Sequence, residues 1–231
     1  MSIQDALILA QQLAHPFMVA HAVDFAAWLH LYRREGELTQ QQAEADILLA
    51  TEHNIAFFLA HGTILRGWAL VEQGQGTEGI AQMRQGLAAY RATGAEAERP
   101  FWLGLLAEAY GKVGQPDEGM VVLTAALAEV QKGWRFCEAE LYRLKGELLL
   151  GLSAENHAEA ETCFHQAFDL ARHQQAKSLE LRTAVSLGRL WRDQGKRTEA
   201  RDLLAPIYGW FTEGFDTPVL QDAKALLDEL T

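Results

Sequence analysis

The chain has 231 residues, of which 49% are hydrophobic and 22% are charged, so it is long enough to bury a sizeable core. Its formal charge of −11, from 31 acidic and 20 basic residues, argues against a nucleic-acid-binding protein and against binding to an anionic membrane surface. Two cysteines, Cys137 and Cys163, are too few for a disulfide framework, and we expect free thiols.

The N-terminus has no basic leader, and no apolar run approaches the roughly 20 residues that a membrane-spanning helix requires. Together with the free thiols, this predicts a cytoplasmic protein. Helical periodicity dominates throughout, and no segment alternates like a strand. The pattern predicts twelve helices, at 3–14, 16–34, 37–53, 55–73, 76–93, 98–113, 116–131, 135–150, 155–174, 177–194, 197–211 and 218–230.

Five pairs of small residues recur along these helices, with a turn between the two members of each pair. The pairs are Ala27/Thr39, Gly67/Gly79, Ala107/Gly119, Gly146/Ala160 and Gly188/Ala200, and their first members lie 40, 40, 39 and 42 residues apart. Small residues are needed where two antiparallel helices cross closely, and a fixed period marks a repeat array. The sequence therefore predicts an all-α solenoid of five helical hairpins, at about 16–53, 55–93, 98–131, 135–174 and 177–211.

The two ends of the array differ. Helix 218–230 alternates an apolar stripe with charges and is predicted to cap the last hairpin. Helix 3–14 has no partner ahead of it and looks like the second half of a missing hairpin. We therefore expect either that the chain is part of a longer protein or that it forms a homodimer through its N-terminal end. The array itself is predicted to form a single domain over residues 1–231.

Large apolar residues complete the repeat. One lies three positions after each first small residue (Leu31, Leu70, Tyr110, Leu149 and Trp191), and four of the second members have one four positions later (Met83, Leu123, Phe164 and Leu204). This frame resembles the tetratricopeptide repeat (TPR), which implies a right-handed superhelix. The strings GTILRGWAL (62–70), AELYRLKGELLL (139–150) and LLAPIYGWFTEGFDT (203–217) are similar to the C-terminal repeat region of large bacterial proteins that join a nucleotide-cyclase domain to a predicted ATPase. This sequence contains neither catalytic motif, so the resemblance implies no catalytic residue here.

The TPR resemblance also implies a binding surface, because the first helix of each TPR hairpin lines a concave groove. The residues at the matching positions are His21, Asp24, Trp28, Tyr32, His61, Ile64, Trp68, Phe101, Glu108, Arg143, Glu147, Arg182, Arg189 and Arg192. The predicted groove is aromatic toward its N-terminal end and rich in arginine at the other. Aromatic and arginine side chains are the usual anchors of protein interfaces, and arginine can grip carboxylates, so an acidic peptide is one expected partner.

Two motifs suggest other chemistry but have simpler explanations. Gly74, Gly76 and Gly79 match G-x-G-x-x-G, yet a dinucleotide site needs a strand before the first glycine, and the segment here is helical. A second pattern places a histidine or carboxylate every four residues along one helix, at His157, Glu161, His165, Asp169 and His173. We interpret this stripe as a solvated polar face rather than a metal site, because it drifts around the helix and no third ligand is specified.

The sequence thus predicts a non-catalytic protein-interaction or regulatory scaffold that needs no cofactor or metal. Its concave groove would bind a peptide or partner domain, within a larger bacterial signalling protein. Two alternatives stay open: the small-ligand sensor region of a transcription regulator, and a self-associating structural array.

Overall fold

The computed structural model describes residues 3–13, 15–130 and 135–231, and within these residues it is all-α, with no strand. The helices lie within three residues of the predicted ranges. They are α1 (Ile3–Leu13), α2 (Pro16–Tyr32), α3 (Gly36–Glu52), α4 (Ala56–Glu72), α5 (Gly76–Ala92), α6 (Arg99–Lys112), α7 (Pro116–Val130), α8 (Glu138–Leu152), α9 (His157–His173), α10 (Lys177–Asp193), α11 (Arg197–Tyr208) and α12 (Pro218–Glu229). Short 3-10 helices, Arg135–Cys137 and Ala154–Asn156, precede α8 and α9.

The chain divides into two compact units, the first ending at Val113 and the second beginning at Gly114. In unit 1, each of α3, α4 and α5 packs on the helix before it, and α4 also contacts α2 and α6. In unit 2, α8 packs on α7 and α9, while α10 packs on α9, α11 and α12. The sequence prediction of a single domain over the whole chain stays a prediction.

A glycine follows the end of three of the first helices. Gly74, Gly114 and Gly195 have φ angles of +83°, +73° and +80°, which is the left-handed region that glycine enters without strain. The first hairpin has Arg34 at the matching position, with φ of +63°. A side chain at such a position is unfavourable, so other contacts of Arg34 must compensate for it.

The small residues of the repeat lie where helices cross closely. A Cβ added to Gly67 would lie 2.7 Å from the carbonyl oxygen of Gly79, so α4 and α5 cross with their backbones in contact. Gly146 faces the ring of Phe164, where an added Cβ would lie 2.8 Å from Cδ1. Gly188 is less constrained, because its nearest neighbour would be the flexible end of Leu226 at 3.2 Å.

The last hairpin is covered by α12, in agreement with the predicted capping role. Leu220, Ala223, Leu226 and Leu230 are buried in one core cluster with Leu181, Ala184 and Leu204 of α10 and α11. The remaining residues of α12 are mostly polar, so the helix turns an apolar face to the hairpin and a charged face outward.

Candidate functional site

Four aromatic residues from α2 and α6 form one connected group in unit 1, here called the aromatic cluster: Trp28, Tyr32, Phe101 and Trp102. The rings of Trp28 and Phe101 stack, with centroids 4.8 Å apart and planes 13° apart. Trp28 also meets the ring of Trp102 edge-on at 4.6 Å, and Tyr32 lies 5.8 Å from Phe101. Trp102 is fully buried, whereas Tyr32 is 49% exposed, so the cluster extends from the core to the surface.

A buried charged group lies beside the aromatic cluster. His61 is 1% exposed, and its Nδ1 is 3.2 Å from Oδ1 of Asp24 on α2, which is 2% exposed. The other ring nitrogen, Nε2, lies 3.0 Å from Oε2 of Glu98. Burial by itself would lower the pKa of His61, but the two carboxylates raise it to about 9. His61 is therefore a protonated imidazolium that donates to Asp24 at neutral pH.

A second buried carboxyl group, Asp46 on α3, has neither oxygen in a hydrogen bond. Asp46 is fully buried, and its desolvation together with the charge of Asp24 raises its pKa to about 8. In the next hairpin, Gly86 stands at the position of Asp46 and Ile64 at the position of Asp24, and these two residues are in direct contact. Asp46 thus stands at a position that suits a small apolar residue, and it carries its proton at neutral pH.

Arg34 connects the turn of the first hairpin to two neighbouring helices of unit 1. Its Nη1 donates to Oε2 of Glu108 at 2.7 Å, with both side chains about nine-tenths buried. The guanidinium also lies over the ring of Trp68, 5.5 Å from the centroid. These contacts offset the strained backbone of Arg34 and fix the turn beside the aromatic cluster.

In unit 2, the four predicted groove arginines are all paired with carboxylates of the same unit. Arg143 is 7% exposed and binds Glu140 at 2.7 Å and Glu147 at 3.2 Å. The remaining pairs are Arg182 with Glu140, Arg189 with Asp222, and Arg192 with Asp193 and Glu229. The hydroxyl of Ser186 joins Arg143 to Glu147. Because these pairs balance the guanidinium charges, an acidic partner stays a prediction without added support.

The structure distributes the predicted groove residues between core and surface. The buried members are Asp24, His61, Ile64, Trp68, Phe101, Glu108 and Arg143. The partly exposed members are His21, Trp28, Glu147, Arg182 and Arg192, and the exposed members are Tyr32 and Arg189. Only the partly exposed and the exposed members are accessible to a partner without rearrangement, and their role as a binding site is untested.

The other motifs take structural places. Gly74 follows helix α4 rather than a strand, and Gly79 packs against Gly67, which agrees with the non-nucleotide interpretation of the glycine motif. On α9, His165 is exposed and lies 3.9 Å from Glu161, while Glu161 accepts a hydrogen bond from the indole of Trp191 at 2.7 Å. Among the described residues, no group of three or more histidine, cysteine, aspartate or glutamate side chains is placed to hold a metal ion.

The two cysteines are free, as expected, and the structure buries both of them. Burial raises the pKa of the Cys137 thiol to about 12. No helix in the described part of the chain is long and apolar enough to cross a membrane.

No protein-family model matches the chain. An uncharacterized protein of Rhizobium meliloti (strain 1021) is 24% identical over 180 residues, which cover 78% of this chain and 17% of that protein. The chain thus matches only a small part of this relative.

Two solved structures have a similar fold; both contain the nearly identical TPR-like repeats of a kinesin light chain-like protein of Podosopora anserina. The first, a variant of that protein with one substitution, has a TM-score of 0.52 at 19% identity and covers 82% of this chain and 92% of that one. The second has a TM-score of 0.51 at 18% identity, with coverage of 93% and 97%. The chain therefore has a TPR-like fold, which confirms the fold resemblance. The similarity to cyclase and ATPase proteins stays a prediction.

Proposed function

We propose that this chain is a non-catalytic protein-interaction module. Its partner, a peptide or a folded domain, binds on the first-helix face of unit 1, which is the face formed by α2, α4 and α6. The observation that supports it is the aromatic cluster, which runs from fully buried Trp102 to half-exposed Tyr32. Tyrosine and tryptophan supply much of the binding energy in protein interfaces. Because Trp28 and Phe101 are already stacked, a partner that binds beside them loses little entropy in ordering them.

The partly exposed residues of α8 and α10, including Glu147 and Arg182, form the corresponding face of unit 2 in this proposal. Arginine and glutamate there are held in an ion-pair network, so they would select the orientation of a partner more than its affinity. A further part of the proposal is self-association through the N-terminal hairpin. The last part of the proposal is that partner binding regulates an attached signalling domain. We place the protein in a reducing compartment such as the cytoplasm, which suits its buried free thiols.

Peptide display tests the proposal. Short random peptides would be selected on the intact chain, and the affinity of the best binder measured by fluorescence anisotropy. We expect Tyr32→Ala to weaken binding at least about tenfold, since a central aromatic anchor contributes roughly 1–2 kcal/mol or more. Thermal stability should change little, because Tyr32 is 49% exposed.

Val121→Ala is the matched control, because Val121 is 69% exposed and lies on α7, a second helix of a hairpin. It should leave the affinity of the selected peptide unchanged. Equal binding of the selected peptide by the Tyr32→Ala variant and the unmodified chain contradicts the proposed site, whereas a failure to select any peptide contradicts a peptide as the partner.

A further inference from the structure

One face of α2 is exposed, although the position that corresponds to Phe25 is buried in α4, α6 and α8, the first helices of the next three hairpins. The face, here called the α2 stripe, consists of Met18, Ala22, Phe25 and Leu29, spaced four, three and four residues apart on one side of the helix. Phe25 is 58% and Leu29 is 40% exposed. The residues at the Phe25 position in the next three hairpins are Leu65, Leu105 and Leu144, none more than 6% exposed.

The second hairpin shows what normally covers this face. Gly62 stands where the first hairpin has Ala22, and a Cβ added to it would meet Ile47 of α3 at 2.9 Å and the carbonyl oxygen of Ala43 at 3.0 Å. The preceding helix of 17 residues therefore packs along this side of α4. The corresponding helix ahead of α2 is α1, whose described residues, Ile3–Leu13, leave Phe25 and Leu29 exposed.

The α2 stripe carries no charge. Asp24 is the only acidic or basic residue among the 17 residues of α2 apart from histidines, and it is buried against His61. An identical face can therefore approach this one without carboxylate repulsion, although each chain has a net charge of −11. The spacing is also self-complementary. In an antiparallel pair centred on Phe25, the small Ala22 of one copy lies beside the large Leu29 of the other, one residue or about 1.5 Å along the helix from exact register.

We infer that the α2 stripe binds the α2 stripe of a second copy of this chain, as an antiparallel two-fold pair of helices centred on Phe25. The inference rests on the proposed role as a protein-interaction module and assigns one of its partners. The pairing closes at two copies, because a two-fold interface uses the same patch of both chains. A contact between two helices of about 25 Å is at the small end of stable interfaces, so the dimer dissociates in the micromolar range.

Sedimentation velocity on the full chain, from about 1 to about 200 µM, measures this equilibrium directly. We expect the mass to rise from 25.7 kDa to twice that value across the range. Phe25→Glu with Leu29→Glu should keep the chain monomeric throughout, with unchanged circular dichroism. Leu48→Glu is the matched control, since Leu48 is 71% exposed on α3, and it should dimerise like the unmodified chain.

A cysteine variant tests the geometry independently. The two-fold axis places residue 25 opposite itself, so Phe25→Cys should form a disulfide-linked dimer on mild oxidation, whereas Leu48→Cys should not. Both native thiols are buried and do not compete. A chain that stays monomeric over the whole range, or a dimer that persists in the double glutamate variant, overturns the inference. Peptide binding that depends on Tyr32 would still stand in either case, so the two proposals fail separately.

Discussion

The indole of Trp28 on α2 stacks on the ring of Phe101 on α6, with centroids 4.8 Å apart, although α4 lies between these helices in the packing of unit 1. Residues of two non-adjacent hairpins therefore touch across the first-helix face. His61 of the intervening α4 lies beneath them, 6.1 Å from Trp28 and 5.0 Å from Trp102. The aromatic cluster thus connects the first and third hairpins as well as offering a surface.

Removal of this connection should destabilise the protein. We expect Phe101→Ala to lower the free energy of unfolding by about 3 kcal/mol, because it deletes a buried ring and its stacking contact. Urea denaturation followed by circular dichroism measures the change. Phe215→Ala is the control, since Phe215 is 46% exposed and should change stability far less. Equal effects of the two variants would show that the stack contributes nothing to stability.

The close helix crossings predict opposite results for two glycine-to-alanine substitutions. Gly67→Ala should destabilise by about 2 kcal/mol or more, because its Cβ would meet backbone atoms of Gly79 and Met83 below 3.0 Å. Gly188→Ala should be neutral or stabilising by up to about 1 kcal/mol, because helix propensity improves and only the end of Leu226 must move. Thermal melting of both variants distinguishes them, and a Gly67→Ala variant as stable as the unmodified chain would contradict the crossing.

The helices and their crossings were predictable because small residues and turn glycines recur at a fixed period. The burial of polar side chains was not predicted from the sequence. Asp46 occupies a position that holds Gly86, Ala126 and Ala167 in the next three hairpins, so an acidic residue there was a detectable irregularity. The contact between Trp28 and Phe101 had no local signal, because it depends on how three hairpins curve together. The carboxylate partners of the arginines likewise depend on side-chain placement, which spacing along the chain does not specify.

The arginine network of unit 2 should matter for stability only where it is buried. Arg143→Ala should lower the free energy of unfolding by about 2–4 kcal/mol, since it removes a buried guanidinium that binds Glu140, whose side chain is only 14% exposed, and donates to Ser186. Arg189→Ala should change it by less than about 1 kcal/mol, because the pair with Asp222 is about half exposed. Urea titrations of the two variants in parallel test the contrast. A larger effect of Arg189→Ala than of Arg143→Ala would reverse this assignment.

The two thiols should report on unfolding. Burial raises the pKa of Cys137 to about 12 and also raises that of Cys163, so neither forms the reactive thiolate in the folded protein near neutral pH. We expect a chromogenic disulfide reagent to label both slowly in buffer and rapidly in denaturant. Rapid labelling of the folded chain at pH 7 would show that one of the thiols is accessible.

The buried carboxyl group of Asp46 predicts a specific dependence of stability on pH. Asp46 keeps its proton up to about pH 8 in the folded protein, whereas the ordinary pKa of an aspartate, 3.8, applies in the unfolded chain. Unfolding therefore releases a proton between these two pH values, so the free energy of unfolding falls as the pH rises from about 4 to about 8. Asp46→Asn, which cannot ionise, should abolish the contribution of Asp46 to this fall. The variant should match the unmodified chain near pH 4 and exceed it at pH 8 by up to several kcal/mol, since each pKa unit corresponds to about 1.4 kcal/mol.

His61 also makes the free energy of unfolding fall as the pH rises, but at higher pH, so the effects of Asp46 and His61 can be separated. Its pKa is raised from 6.5 to about 9, so the stability it provides is fully present below 6.5 and is lost as the pH rises through 9. Between about pH 4.5 and 6, His61 is therefore protonated in both states and adds no slope, which leaves that window to Asp46. Urea denaturation at several pH values within it gives the test. Parallel stability profiles for the unmodified chain and Asp46→Asn would mean that Asp46 ionises normally in the folded protein, and that its burial does not hold the proton.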